Sequence, residues 1–185
     1  MPHKPAAAKL ASRKPPMARR AVAKPAAARL GAADRALIAA ALEARECAHA
    51  QWSNFKVGAA ARFGGHVVKG CNIEFDVYGM TNCAERTAVF AGFACSAARQ
   101  PLTAIAVVAD TPEPVSPCGA CRQVLFECGG GDLRVILANT RGDARVVRMR
   151  DLLPGGFRLA PDTPARGSKR RDAEWAKRSV RKQRK

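Results

Sequence analysis

The chain has 185 residues, 48% of them apolar, with 32 basic and 15 acidic side chains that leave a formal net charge of +17. That length suits one substantial core, and no apolar run approaches the roughly 18 residues a bilayer-spanning helix needs, which argues against a helical membrane protein. The positive charge lies mostly in the tails: residues 1–33 hold four Lys and four Arg with no acid, residues 162–185 hold ten basic and three acidic residues, and the middle is close to neutral.

The first tail, rich in Ala, Pro, Lys and Arg, lacks regularly spaced large apolar residues, and its five prolines interrupt helices, so residues 1–33 read as disordered. Three roles fit it: a solvated linker, a nonspecific polyanion binder, or an organelle transit peptide with Met17 as an alternative start. The second tail, 162–185, also reads as disordered, with Trp175 its one aromatic. Seven cysteines, an odd number, suit a reducing, cytoplasmic compartment better than a disulfide framework.

Between the tails, residues 34–161 form the expected single domain. From Asp34, DRALIAAALEARECAHA predicts an amphipathic helix with Asp34 as N-cap and Leu37, Ala41 and Leu42 on its apolar face. FKVGAAARF and HVVKGCNI follow as two short strands joined by a hairpin turn at Gly64-Gly65. Thr81 or Asn82 is placed to cap a helix beginning near Cys83, and LTAIAVVAD reads as a strand buried on both faces. Ser116-Pro117 opens a further helix, CGACRQVLFEC, which Gly129-Gly130-Gly131 ends. LRVILAN is another buried strand, ARVVRM a short edge strand, and DLLPGGF a turn. This order implies a three-layer α/β/α sandwich around one mixed sheet.

Two helix starts carry the chemistry. Cys118 and Cys121 are three residues apart, so both sulfurs can face one point from a first helical turn, and Cys83 begins the preceding helix. Zinc takes thiolates tetrahedrally, and a catalytic site reserves one of its four positions, so three cysteines suit a catalytic zinc. Helix N-termini also favour thiolates, through their unpaired N–H groups and positive dipole ends. Three thiolates on a dication leave a net negative charge, and Arg86 and Arg122, each directly after a motif element, are placed to offset it. Glu85, two residues past Cys83, is better suited to proton transfer than to ligation.

With CAER followed by PCGAC, the chain resembles the cytidine deaminase family in its three-cysteine form. SNFKVGAA is similar to the family's Phe-bearing first strand, GCNIE to its ribose-binding strand and LLPGGF to its C-terminal segment, so the resemblance spans roughly residues 34–160. It implies one zinc per subunit on Cys83, Cys118 and Cys121, with Glu85 shuttling protons. It further implies that Phe55 stacks on the pyrimidine, that Asn72 and Glu74 bind the ribose hydroxyls, and that Phe157 closes a neighbouring subunit's pocket in a homotetramer. The implied reaction turns cytidine and deoxycytidine into uridine and deoxyuridine.

One stretch departs from the family. Where it commonly reads Glu-Asn-Ala-Ser-Tyr-Gly, this chain has EFDVYG, which places Phe75, Asp76 and Val77 near the pocket mouth and leaves the substrate open. Asp76 is placed either to bond or repel a 5′ group or to face solvent, and Trp52, where the family has Tyr, is expected to affect packing alone. Two other functions remain: deamination of another small aminopyrimidine of the blasticidin-S type, and nucleic-acid binding by the basic tails around a structural zinc. Cys47, Cys71, Cys95 and Cys128 read as core fillers, while His3, His49 and His66 are too scattered to be ligands.

Overall fold

The computed structural model describes residues 30–95 and 97–158; the second basic tail and residues 1–29 of the first lie outside the described residues. Helix α1 spans Ala32–Glu46 and starts two residues before Asp34, with Gly31 as its N-cap. Asp34 instead sits in the first turn, where its carboxylate accepts the Gly31 N–H at 2.8 Å. It also takes two bonds from Arg134, at 3.0 and 2.8 Å. The buried stripe of α1 is Leu37, Ala41 and Ala44, at spacings of one helical turn, whereas Leu42 is exposed.

Strands β1 (Val57–Phe63) and β2 (His66–Cys71) form the expected hairpin, with Gly64 at φ 56° in its turn. A 3₁₀ turn at Tyr78–Met80 precedes α2 (Ala84–Ala94), whose N-cap is Cys83 itself and not Thr81 or Asn82. Asn82 bonds forward to the Thr87 hydroxyl at 3.2 Å. Strand β3 (Leu102–Ala109) leads to α3 (Gly119–Gly129), capped by Cys118 and ended at Gly130, φ 74°. Strands β4 (Arg134–Asn139) and β5 (Ala144–Arg148) follow, and a short helix α4 (Met149–Leu152) occupies part of the expected turn.

The sheet order is β2-β1-β3-β4-β5, with β3 and β4 parallel and every other pair antiparallel. Strand β3 is central, and all its residues but Thr103 are buried, as its uniform apolarity predicts. On one face Leu37 and Ala41 of α1 pack on Ala60, Ala104, Ala106, Val108 and Ile136. On the other, Ala84, Ala88 and Val89 of α2 and Leu125 of α3 pack on Phe63, Ile105, Val107 and Leu137. These are the three layers predicted.

Glycine sets how closely α2 approaches the sheet. A Cβ at Gly70 of β2 would lie 2.3 Å from the Ala88 nitrogen and 2.7 Å from the Ala84 carbonyl oxygen, so no other residue fits without moving the helix. Both the β2 end and the α2 start are thereby fixed at one edge of the sheet. The antiparallel registers set Cys71 of β2 beside Gly58 and Ala109 of β3 beside Val57 at the start of β1, so β3 ends at the same end of the sheet as β2.

Candidate metal centre and active site

Cys83 and Cys118 cap neighbouring helices, and Cys121 lies in the first turn of α3. Their three Sγ atoms all fall within 4.8 Å of one another, with Cys83 and Cys118 3.8 Å apart. Zinc–sulfur bonds of about 2.3 Å at tetrahedral angles set sulfurs about 3.8 Å apart, so the donor set and its spacing fit the metal. Cys121 is fully buried, Cys83 half-buried and Cys118 exposed, leaving the cluster open on one side. Among the described residues no other group of three His, Cys, Asp or Glu side chains could hold a metal.

The thiols differ in acidity. Cys83 is drawn down to about 5 by hydrogen bonding from Cys121, then by Arg86 and Cys118, while the same pairing and burial push Cys121 up. Arg86 Nη2 lies 3.7 Å from Cys83 Sγ and 3.5 Å from the Thr81 carbonyl. Arg122 goes elsewhere: its Nε donates to the Pro117 carbonyl at 2.7 Å and its Nη1 to the Leu152 carbonyl at 3.0 Å. These bonds brace the loop entering α3 and tie it to α4, in place of the contact with sulfur that the sequence suggested.

Glu85 is 4% exposed, and burial raises its carboxyl above the usual range, helped by the charge on Cys83. A buried carboxyl beside a metal site, readily protonated, suits a proton carrier.

A second set of side chains surrounds the entry to β1. Ile73 bridges to His49 and to Asn82, which draws the stretch after β2 up against the residue preceding Cys83. Asn72 Oδ1 accepts the Val57 N–H at 2.8 Å, and its Nδ2 donates to the Phe55 carbonyl at 2.8 Å. Glu74 accepts the Trp52 and Ser53 N–H groups at 2.9 and 3.1 Å on one oxygen and the Ser53 hydroxyl on the other. Phe55 is 42% exposed, so it is not the core residue a lone Phe usually is. Trp52 is exposed too and engages Glu74 through its backbone, not through packing.

Phe75, Val77 and Tyr78 of the departing EFDVYG stretch are exposed, as is Phe157, whose carbonyl accepts from Gln123 at 2.8 Å. His49 stands beside Phe75, ring centroids 6.4 Å apart, and is not part of the cysteine cluster. Cys47 and Cys95 are exposed and Cys71 is only partly buried, so these three are not the core fillers expected, whereas Cys128, partly buried, packs against the core. Cys47, Cys71 and Cys95 each end or border an element, where the packed interior is left behind.

Ser53 and Asn54 were not singled out from the sequence. Asn54 has φ 54°, a left-handed conformation that Asn tolerates better than most residues, and Ser-Asn is a turn-forming pair, which was the available signal.

Residues 32–138 match the family model described as the cytidine and deoxycytidylate deaminase zinc-binding region. The cytidine deaminase of Halalkalibacterium halodurans is 51% identical over 122 residues, 65% of this chain and 91% of that protein. That of Mycobacterium tuberculosis is 42% identical over 120 residues, 64% of this chain and 85% of the relative. Among solved structures, the Burkholderia pseudomallei cytidine deaminase is similar at 52% identity and a TM-score of 0.63, covering 66% of this chain and 98% of that one. The M. tuberculosis enzyme aligns with a TM-score of 0.59 at 40% identity, over 68% and 97% of the two chains.

Proposed function

The chain belongs to the cytidine and deoxycytidylate deaminase zinc-binding family, and we propose that it hydrolyses free cytidine and deoxycytidine to uridine and deoxyuridine with release of ammonia. The observation that carries this reading is the convergence of three cysteine sulfurs from two helix starts beside one buried glutamate. Cys83, Cys118 and Cys121 would hold the zinc. When bound, the metal supplies a Lewis acid that lets water act as a nucleophile near neutral pH.

The protein's own groups account for the remainder. Glu85 takes a proton from the attacking water and returns it to the ring N3, and a second proton then follows to the amino group. Oxygen is added at C4 and the C4–N bond breaks, so one water is consumed for each ammonia released. The Arg86 guanidinium offsets the excess negative charge of three thiolates. Phe55 offers a flat apolar plate for the pyrimidine, and Asn72 and Glu74 address the sugar. Both ends of the Asn72 amide already hold backbone groups, so it can give the sugar only its second N–H and its remaining lone pair.

The assembly in this reading is a homotetramer in which Phe157 of one subunit closes the pocket of another; its 67% exposure and its backbone tether to α3 support that role. No disulfide joins any of the cysteines among the described residues, which supports a reducing, cytoplasmic setting. The basic tails, outside the described residues, would add nonspecific contact with polyanions.

Exposed Phe75 and Val77 favour a second reading, a deaminase of another aminopyrimidine of the blasticidin-S type. A panel of cytidine, deoxycytidine, their 5′-monophosphates and blasticidin S, followed by ammonia release, decides between them. Preference for the free nucleosides supports the first reading, and turnover confined to blasticidin S would replace it with the second.

A further inference from the structure

The loop between α1 and β1 is organised around one hydroxyl. Ser53 Oγ donates its single proton to Glu74 Oε1 and accepts the Phe55 N–H at 3.0 Å. The Ser53 and Trp52 N–H groups both go to Glu74 Oε2. Asn54, between Ser53 and Phe55, holds the left-handed conformation that lets the chain double back, and its N–H returns to the Ala50 carbonyl at 2.9 Å. The hydroxyl thus touches both the carboxylate assigned to the sugar and the backbone of the aromatic assigned to the base.

Counting acceptor positions sharpens the point. Each carboxylate oxygen offers about two lone-pair sites. On Glu74, Oε2 is filled by two backbone N–H groups, and Oε1 has given one site to Ser53. One site on Oε1 remains for a sugar hydroxyl, and the Ser53 proton fixes which direction it faces. Three donors favour the ionised carboxylate, and it is held below the ordinary carboxylate range by the Ser53 hydroxyl first and the Ser53 N–H second.

We propose that Ser53 is a positioning residue for sugar recognition: its hydroxyl orients the last open acceptor site of Glu74 toward the ribose while holding the Phe55 backbone in register with it. This rests on the deaminase reading above. Ser53 does not touch the reacting atoms. Its contribution is discrimination between nucleosides with and without sugar hydroxyls.

The test compares kcat/KM for cytidine and 2′,3′-dideoxycytidine in the zinc-loaded wild type, Ser53→Ala and Ser53→Thr. In Ser53→Ala the cytidine preference narrows by about tenfold, the size expected for losing a hydrogen bond to a charged group, and the loss appears mainly in KM. Ser53→Thr, which keeps the hydroxyl, restores most of the preference. A merely structural loosening of the loop would weaken both substrates equally. Equal losses on the two substrates, or no recovery with threonine, would overturn the proposal. Should Ser53→Ala fold poorly, the nearly isosteric Ser53→Cys, a weaker donor, reports in its place with an intermediate preference, and a wild-type preference there would also overturn it. Wild-type protein that deaminates neither nucleoside would contradict the deaminase reading itself, a separate outcome.

Discussion

Arg86 Nη2 stands 3.7 Å from Cys83 Sγ, three residues before it on the same helix, while its buried Nε has no hydrogen-bond partner. The guanidinium is spent on the sulfur and on the Thr81 carbonyl, not on a carboxylate. This contact supports the proposed role of Arg86 as the cation that tempers the thiolate charge.

Replacing it with Gln keeps a donor and removes the charge. Arg86→Gln is expected to lower kcat by about tenfold, a differential of one hydrogen bond to a charged group, while zinc content stays near that of the wild type. Metal analysis alongside steady-state kinetics checks this, and unchanged kcat would remove Arg86 from the account.

Arg122 predicts the opposite pattern. Its bonds to the Pro117 and Leu152 carbonyls hold the loop that delivers Cys118 and fasten α4 to it. Arg122→Gln should lower the melting temperature and speed zinc loss to a chelator, with kcat per bound zinc little altered. A fall in kcat per zinc as large as that in Arg86→Gln would place Arg122 at the sulfurs after all.

How the two arginines part could not be read from their adjacency to the motifs. In α2 the N-cap is Cys83 and the position three further on is Arg86; in α3 the N-cap is Cys118 and the equivalent position is Cys121. Arg122 is one step beyond Cys121, turned about 100° round the helix from it. The helices and strands themselves were legible because their apolar periods and Gly and Pro stops are strong, as in LTAIAVVAD and the glycine run after α3. Asp34 misled because Asp is favoured at N-caps, yet Gly31 served there and left Asp34 for Arg134, 100 residues away. The meeting of Cys83 with Cys118 and Cys121 depends on sheet topology, which the order of elements implies by bringing neighbouring helix starts to one end of the sheet, and the family resemblance points to the same three residues. The Ser53 hub stayed hidden, since its partner Glu74 lies 21 residues on.

The Asp34–Arg134 pair gives a pH prediction. Asp34 is 5% exposed, and the Arg134 hydrogen bonds hold its carboxyl below the usual range. A carboxyl depressed in the folded state contributes stability above its unfolded value, about 3.9, and loses that contribution as pH falls through the folded value. Asp34→Asn should thus cost about 2 kcal/mol near neutral pH, with the gap to wild type closing below about pH 4. Urea denaturation at several pH values checks it; a gap that persists unchanged into acid would contradict the assignment.

The central claim is that one buried carboxyl, Glu85, moves protons beside a zinc held by three cysteines. It is tested most directly by measuring zinc content and the ultraviolet change of cytidine to uridine on Glu85→Gln, an isosteric change that deletes the proton carrier. The predicted result is zinc near one ion per chain with turnover reduced by at least about 100-fold, the lower range for general acid–base catalysis. Turnover close to wild type with zinc in place would contradict it.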